Sequence, residues 1–332
     1  MLLKHYVATP RISCETSTKS IVSTHKHNAR QGKIMIRYLP ALLALTLVGC
    51  EQATDGTQET IAQEQAAFST ADRDRLAASL GAQPEETQAR YQYRHPQETL
   101  EFLGLKPGMT VVEGLPGRGW YTKVLLPYLG KDAHLIGADY SLQMYPLFSF
   151  ATEEFLEEQK TWTTDWVVDA ESWSGEDGAT LAAFHFGSMP EDLAGTADAV
   201  FFARVLHNLA RFESEGDYLT TALSDSFSIL KPGGVFGVVQ HHARDDMSDS
   251  FADGSHGYLK KSFVIAAVEQ AGFEFVAESD INVNSLDQPG EDDIVWRLPP
   301  SLGTSEKNPE LRAELEAVGE SNRMTLRFRK PE

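Results

Sequence analysis

The chain has 332 residues, room for one large or two ordinary domains, and its 42% hydrophobic and 23% charged residues are those of an ordinary globular protein. Only Cys14 and Cys50 carry thiols, and both precede the globular region, which excludes a disulfide framework or a cysteine zinc site within it. Residues 1–49 carry seven basic side chains and one acid, so subtracting their +6 from the chain's −19 leaves −25 for residues 50–332; so acidic a body disfavours a nucleic-acid partner.

Residues 35–50 combine a charged start, a short apolar run and small residues before Cys50. That describes a signal peptide, since a membrane span needs about 20 apolar residues. Leu47-Val48-Gly49-Cys50 resembles the bacterial lipobox, which implies lipidation of Cys50, a mature chain starting there, and a membrane anchor at the cell envelope. Residues 1–34 are polar and patternless, so Met35 is an alternative start. Residues 50–69 are small and polar and read as a flexible tether.

Helical patterning runs over residues 70–105, an N-terminal helical lid broken near Pro84 and at His95-Pro96. From 106 to 332 apolar strands and helical stretches alternate. Strands are expected at 109–113, 134–138, 181–186, 198–203, 235–240, 273–277 and 324–328, with helices at 119–129, 141–162, 217–230, 259–271 and 308–317. Residues 163–180 read as an acidic, tryptophan-containing insertion without a period. The alternation argues for an open α/β sheet with helices on both faces, its last strand inserted antiparallel.

The chain's most informative stretch is Val111–Thr122, where a strand runs into Glu113-Gly114-Leu115-Pro116-Gly117-Arg118-Gly119 and then a helix. Glycines at such a turn let backbone approach a ligand and aim helix N-terminal amides at it. Asp139, twenty residues after Gly119, falls at the next strand's end, where a carboxylate can take ribose hydroxyls. A nicotinamide fingerprint wants a third glycine or alanine at position 122, and Thr122 stands there.

Val111–Gly119, Asp139, Val205-Leu206-His207-Asn208-Leu209 and the Lys231-Pro232-Gly233-Gly234 approach to the fifth strand together resemble class I S-adenosylmethionine-dependent methyltransferases. Leu115 stands where that superfamily's first glycine would be, with Gly114 one place earlier and Pro116 following. With Arg94-His95-Pro96, Trp296 to Pro300 and Gly319–Met324, the chain resembles a largely uncharacterised bacterial family of predicted methyltransferases over about residues 85–330. The resemblance implies a Rossmann-like seven-stranded sheet, six strands parallel and one antiparallel, with S-adenosylmethionine as cofactor. It also implies that Glu113 accepts from the methionine amino group, that Gly114, Pro116, Gly117 and Gly119 line the methionine and ribose side, and that Asp139 takes the ribose. Ser188 and Met189, after the third strand, fall where such folds contact adenine. For the glycines the alternative is turn geometry alone, and for Asp139 a solvated strand-end acid.

Methyl transfer gains mostly from proximity and orientation. If a base is needed, His207 after strand four and His241 after strand five are placed for it, and an imidazole near neutrality accepts a proton from a hydroxyl. Capping or core hydrogen bonding is the competing role for both. Arg94, His95 and Tyr121 are candidates for closing the pocket over a small-molecule or lipid-like substrate, or for anchoring the lid to the sheet. No metal site is expected, because the adjacent His241 and His242 of one strand point to opposite faces.

The export signal and the cofactor pull apart, since S-adenosylmethionine is a cytoplasmic metabolite. Three resolutions stand open: a cytoplasmic enzyme whose signal is not used, a cofactor supply in the envelope, or a catalytically silent envelope lipoprotein that uses the fold to bind another ligand. The anchor has a direct check. Cys50→Ser moves the protein from the membrane to the soluble fraction if Cys50 is lipidated, and unchanged fractionation counts against the anchor.

Overall fold

The computed structural model describes residues 68–174 and 178–332. The signal segment, Cys50 and nearly all of the tether lie outside the described residues. The strands are β1 (Thr110–Gly114), β2 (His134–Asp139), β3 (Thr180–His185), β4 (Ala197–Ala203), β5 (Leu230–Ala243), β6 (Leu259–Lys260), β7 (Glu274–Ser279) and β8 (Arg323–Arg329). Their order across the sheet is β3-β2-β1-β4-β5-β8-β7, with the two-residue β6 paired off this path to the end of β5. β8 runs antiparallel to both β5 and β7. The other pairings along the path are parallel. The main sheet is therefore the Rossmann-like seven-stranded form, six parallel strands and one antiparallel.

Strand side chains alternate faces, and the core splits accordingly. Val112, Ile136, Phe202, Val238 and Phe236 enter one apolar cluster, against the helices Leu206–Arg211, Tyr218–Ile229 and Lys261–Gln270. Val111, Leu135, Phe201 and Val239 enter the other, with side chains of the helices Thr70–Gly81, Pro96–Leu103, Thr122–Leu129 and Trp162–Ser174. A sheet covered on both faces needs apolar residues at successive positions, and β4 supplies them.

The N-terminal helices are locally specified. Ser69 caps Thr70–Gly81 by accepting from the Asp72 amide at 3.0 Å, while the Asp72 carboxylate accepts from the Ser69 amide. Pro96 opens the helix Pro96–Leu103, which ends at the left-handed Gly104.

Several stretches depart from expectation. The expected helix at 141–162 is a 3-10 turn at Tyr145–Leu147 and a separate helix Glu153–Gln159; Pro146, lacking an amide hydrogen, disfavours a helix running through it. The supposed insertion at 163–180 contains most of the helix Trp162–Ser174. Trp162, Trp166, Ala170 and Trp173 do recur at helical spacing, and Trp166 and Ala170 are buried against the sheet. The Lys231-Pro232-Gly233-Gly234 turn is absorbed into β5 as an irregularity: Ala197 pairs with Leu230, and two residues later Ala199 pairs with Val235.

Candidate functional site

In this strand order the chain fills β1, β2 and β3 outward, then returns to lay β4 on the other side of β1. Ligands of open α/β sheets sit outside the carboxyl ends of the strands at such a switch. Glu113 and Asp139 stand there, at the ends of the paired strands β1 and β2.

Glu113 is buried, and its Oε2 accepts from the Thr122 hydroxyl at 2.7 Å. Burial pushes its carboxyl up to about 7, against the Thr122 hydrogen bonds and the attraction of Arg204. Asp139 is 9% exposed, and its Oδ1 accepts from the Tyr140 amide at 2.7 Å. Burial raises it to about 6, and the Tyr140 amide opposes the rise. The Tyr145 phenol stands beside it, its hydroxyl outside good hydrogen-bond geometry.

In the turn after Glu113 the backbone passes through three positive φ angles, Leu115 (47°), Gly117 (56°) and Gly119 (74°). A left-handed leucine costs roughly 1–2 kcal/mol. It is held there by its amide, which donates to the Ala138 carbonyl at 2.7 Å, and by packing on the core. The candidate glycines do not all serve one end. A Cβ at Gly114 would lie 2.4 Å from the Phe202 ring, and one at Gly119 would lie 2.4 Å from Trp173, so packing alone requires both glycines. A Cβ at Gly117 would meet nothing nearer than the Leu115 carbonyl at 4.0 Å, and Gly117 is exposed. Pro116 is buried, and its carbonyl accepts from the Gly119 amide. Ser188 is exposed, and Met189 packs partly on the core.

A cavity of about 280 Å³ lies over the ends of β4 and β5. Arg94, Arg204, His207, His241, Glu320 and Ser321 form its polar side, and Trp296, Leu298, Pro299 and Pro300 an apolar wall. The structure thus brings Arg94, His207 and His241 together. Tyr121 packs edge-on against Trp120 and Phe201. Arg94 lies 4.4 Å over the Trp120 ring, joining the N-terminal helices to the turn after β1. His95 is absent from this lining; its left-handed backbone (φ 39°) joins the helices Tyr91–Arg94 and Pro96–Leu103.

The two histidines have the expected placement without the expected basicity. Burial above all, then Arg204 and Arg211, lowers His207 to about 4, although Gln240 bonds its Nδ1. His241 is held well below the ordinary imidazole range by burial and then by His207 and Arg204, with its Nδ1 2.6 Å from the Ser321 hydroxyl. Both are neutral at physiological pH and weaker bases than a free imidazole. Among the described residues no group of three or more His, Cys, Asp or Glu side chains is placed to hold a metal ion.

Residues without a role in the sequence reading prove central. Glu320 accepts from Arg90 Nε at 2.7 Å, from Arg94 Nε at 3.1 Å on both oxygens, and from Arg323 Nη1 at 3.1 Å. Burial works to raise this carboxyl, yet Arg94, Arg323, Arg204 and Arg90 hold it below its usual range. Burial and Arg204 push the Arg94 guanidinium down to about 9, which leaves it charged at neutral pH. Arg204, just past β4, has a left-handed backbone (φ 65°). The signal for Glu320 was the Gly319–Met324 motif; Arg204 had none. A larger cavity of about 750 Å³ opens beside Pro107-Gly108 and Gly130–Asp132, at the amino ends of β1 and β2, away from all of these groups.

No protein-family model matches the chain, and no curated protein matches its sequence. Among solved structures it is similar to the cyclase SpnF, at 16% identity over 72% of this chain and 80% of that one, with a TM-score of 0.44. It is also similar to an arsenic(III) S-adenosylmethionine methyltransferase from Chlamydomonas reinhardtii (16% identity, 78% and 73% covered, TM-score 0.38). A third is a SAM-dependent methyltransferase from Aquifex aeolicus (17% identity, 60% and 93% covered, TM-score 0.40). Likenesses this distant carry neither ligand nor reaction across.

The raised Glu113 carboxyl makes a signed prediction. A folded-state pKa above the unfolded value of 4.5 gives stability that is complete below 4.5 and lost as pH rises to about 7. Glu113→Gln removes that loss, so in denaturant titrations the variant gains up to roughly 3 kcal/mol on the wild type between pH 4.5 and 7. A difference that does not change with pH would show that Glu113 titrates normally.

Proposed function

We propose that the chain is an S-adenosylmethionine-dependent methyltransferase acting on a small-molecule or lipid-like acceptor. The observation that carries this reading is the open turn at Gly117, set between the end-of-strand acids Glu113 and Asp139 at the switch between β1 and β4. The residues present fit such a ligand. Trp120 Nε1, in the turn after β1, is a buried polar atom without a hydrogen-bond partner among the described residues. Buried polar atoms are rarely left unpaired unless something else satisfies them.

The bound cofactor would supply an activated methyl group; the protein's part is to hold and orient. Asp139 would receive ribose hydroxyls, Gly117 would let backbone approach the amino-acid portion, and Glu113 would sit beneath the turn with Thr122 fixing its carboxyl. The cavity beyond β4 and β5 would hold the acceptor, roofed by Arg94 from the N-terminal helices. His207 and His241, kept neutral, would serve as hydrogen-bond partners there more readily than as strong bases. Anchoring through Cys50 at the cell envelope belongs to the same proposal, with a cytoplasmic enzyme as the alternative should the signal go unused.

A second reading, a silent envelope lipoprotein that uses the fold to bind another ligand, draws on the state of the two acids. Both are buried and already hydrogen-bonded within the protein, and Leu115 occupies a left-handed position a glycine would take freely. Calorimetry with S-adenosylmethionine and S-adenosylhomocysteine separates the two. The methyltransferase reading expects binding of both, weakened at least about tenfold by Asp139→Ala. A folded protein that binds neither at high micromolar ligand supports the silent lipoprotein.

A further inference from the structure

The cavity over β4 and β5 holds more positive charge than the protein neutralises. Arg90, Arg94 and Arg323 all donate to the single carboxylate of Glu320, whose oxygens are saturated by these contacts. Arg204 is a fourth cation in the same field, since it acts electrostatically on Arg94, Glu320, Arg323, His207 and His241. No hydrogen bond or ion pair joins its guanidinium to another described residue. Glu113 also feels Arg204, but its carboxyl is taken up by Thr122. Among the described residues Glu320 is the only acid in the cavity lining.

A half-buried guanidinium with no partner among the described residues is free to pair with an anionic ligand. The backbone adds an independent sign: Arg204 is held at φ 65°, and its amide donates to the Val239 carbonyl of the neighbouring strand. Strained non-glycine residues of this kind gather at ligand sites. The same lining includes the apolar Trp296, Leu298, Pro299 and Pro300, with Trp296 edge-on to His207 at 5.7 Å between ring centres. The occupant such a pocket selects has a charged end and an apolar body. At about 280 Å³ the space admits on the order of ten non-hydrogen atoms, too few for a lipid. A guanidinium presents its donors as a planar fork that matches a carboxylate in two parallel bonds.

We infer that the methyl acceptor is a small organic acid whose carboxylate pairs with Arg204 while its apolar body lies on Trp296 and the Pro299-Pro300 corner. The inference rests on the methyltransferase reading only in naming the occupant an acceptor; the carboxylate site stands apart from it. A carboxylate there would also offset one of the charges that depress His207 and His241, bringing both imidazoles closer to useful basicity.

The test is calorimetry on the full chain with benzoate, which carries both the carboxylate and the apolar ring the lining selects for, and with benzamide, its neutral counterpart. The expected result is millimolar or tighter binding of benzoate and at least about tenfold weaker binding of benzamide. Arg204→Gln should cost benzoate about the same factor with circular dichroism unchanged, and Arg204→Lys should recover part of it. Equal binding of the two probes, no benzoate heat at millimolar concentration, or full benzoate affinity in a folded Arg204→Gln would each overturn the inference. Should Arg204→Gln fail to fold, the contrast between the probes on the wild type decides alone. Benzoate binding without S-adenosylhomocysteine binding would remove the methyltransferase reading and keep the carboxylate site, and the reverse pattern would do the opposite.

Discussion

The candidate site depends on one buried carboxylate. Glu320, just before β8, holds Arg90 and Arg94 from the N-terminal helices and Arg323 from β8 itself. Taking these charges out of water is expensive, and mutual pairing repays the cost only because every carboxylate lone pair is used. The bonds tie the first folded segment to one of the last strands across more than two hundred residues of chain. That fixes Arg94 over Trp120 and sets the roof of the cavity above β4 and β5. The rest of the pocket's electrostatics follows. Arg204 is left over, the two histidines are held neutral, and Tyr121 sits among guanidinium groups that pull its phenol down against the effect of burial.

The turn after β1 shows how packing and binding share one loop. Gly114 and Gly119 make room for Phe202 and Trp173, which join the turn to β4 and to the helix over β3. Gly117 alone faces outward. Thr122, the residue that breaks a nicotinamide fingerprint, donates to Glu113 and so locks the acid beneath the loop to the first turn of the following helix. An ordinary requirement for close packing therefore yields a cradle in which Gly117 is the one glycine left open.

The central strands were legible because strands buried on both faces are short apolar runs, and six of the seven main strands lie within a residue or two of where hydrophobic pattern places them; β5 alone runs longer, through its glycine bulge. Asp139 and the glycine turn were legible because their chemistry is written in contiguous residues. The helix Trp162–Ser174 was not, since acids and threonines interrupt its apolar positions and the off-face Val168 blurs the period. Arg204 and Glu320 escaped for a different reason. Their roles arise from charges brought together by the sheet from residues 90 to 323, and no local spacing encodes a pairing of that range. The sequence likewise leaves the basicity of His207 and His241 open, because position relative to a strand says nothing about burial or about the arginines nearby.

The most direct check of the central claim, that the β1 turn and the end of β2 form an S-adenosyl site, is hydrogen exchange read by mass spectrometry with and without S-adenosylhomocysteine. The account predicts slowed exchange in peptides covering Glu113–Thr122, Asp139–Phe148 and the Ser188-Met189 loop. Protection instead at Pro107-Gly108 and Gly130–Asp132 beside the larger cavity, or no protection anywhere under saturating ligand, would contradict it.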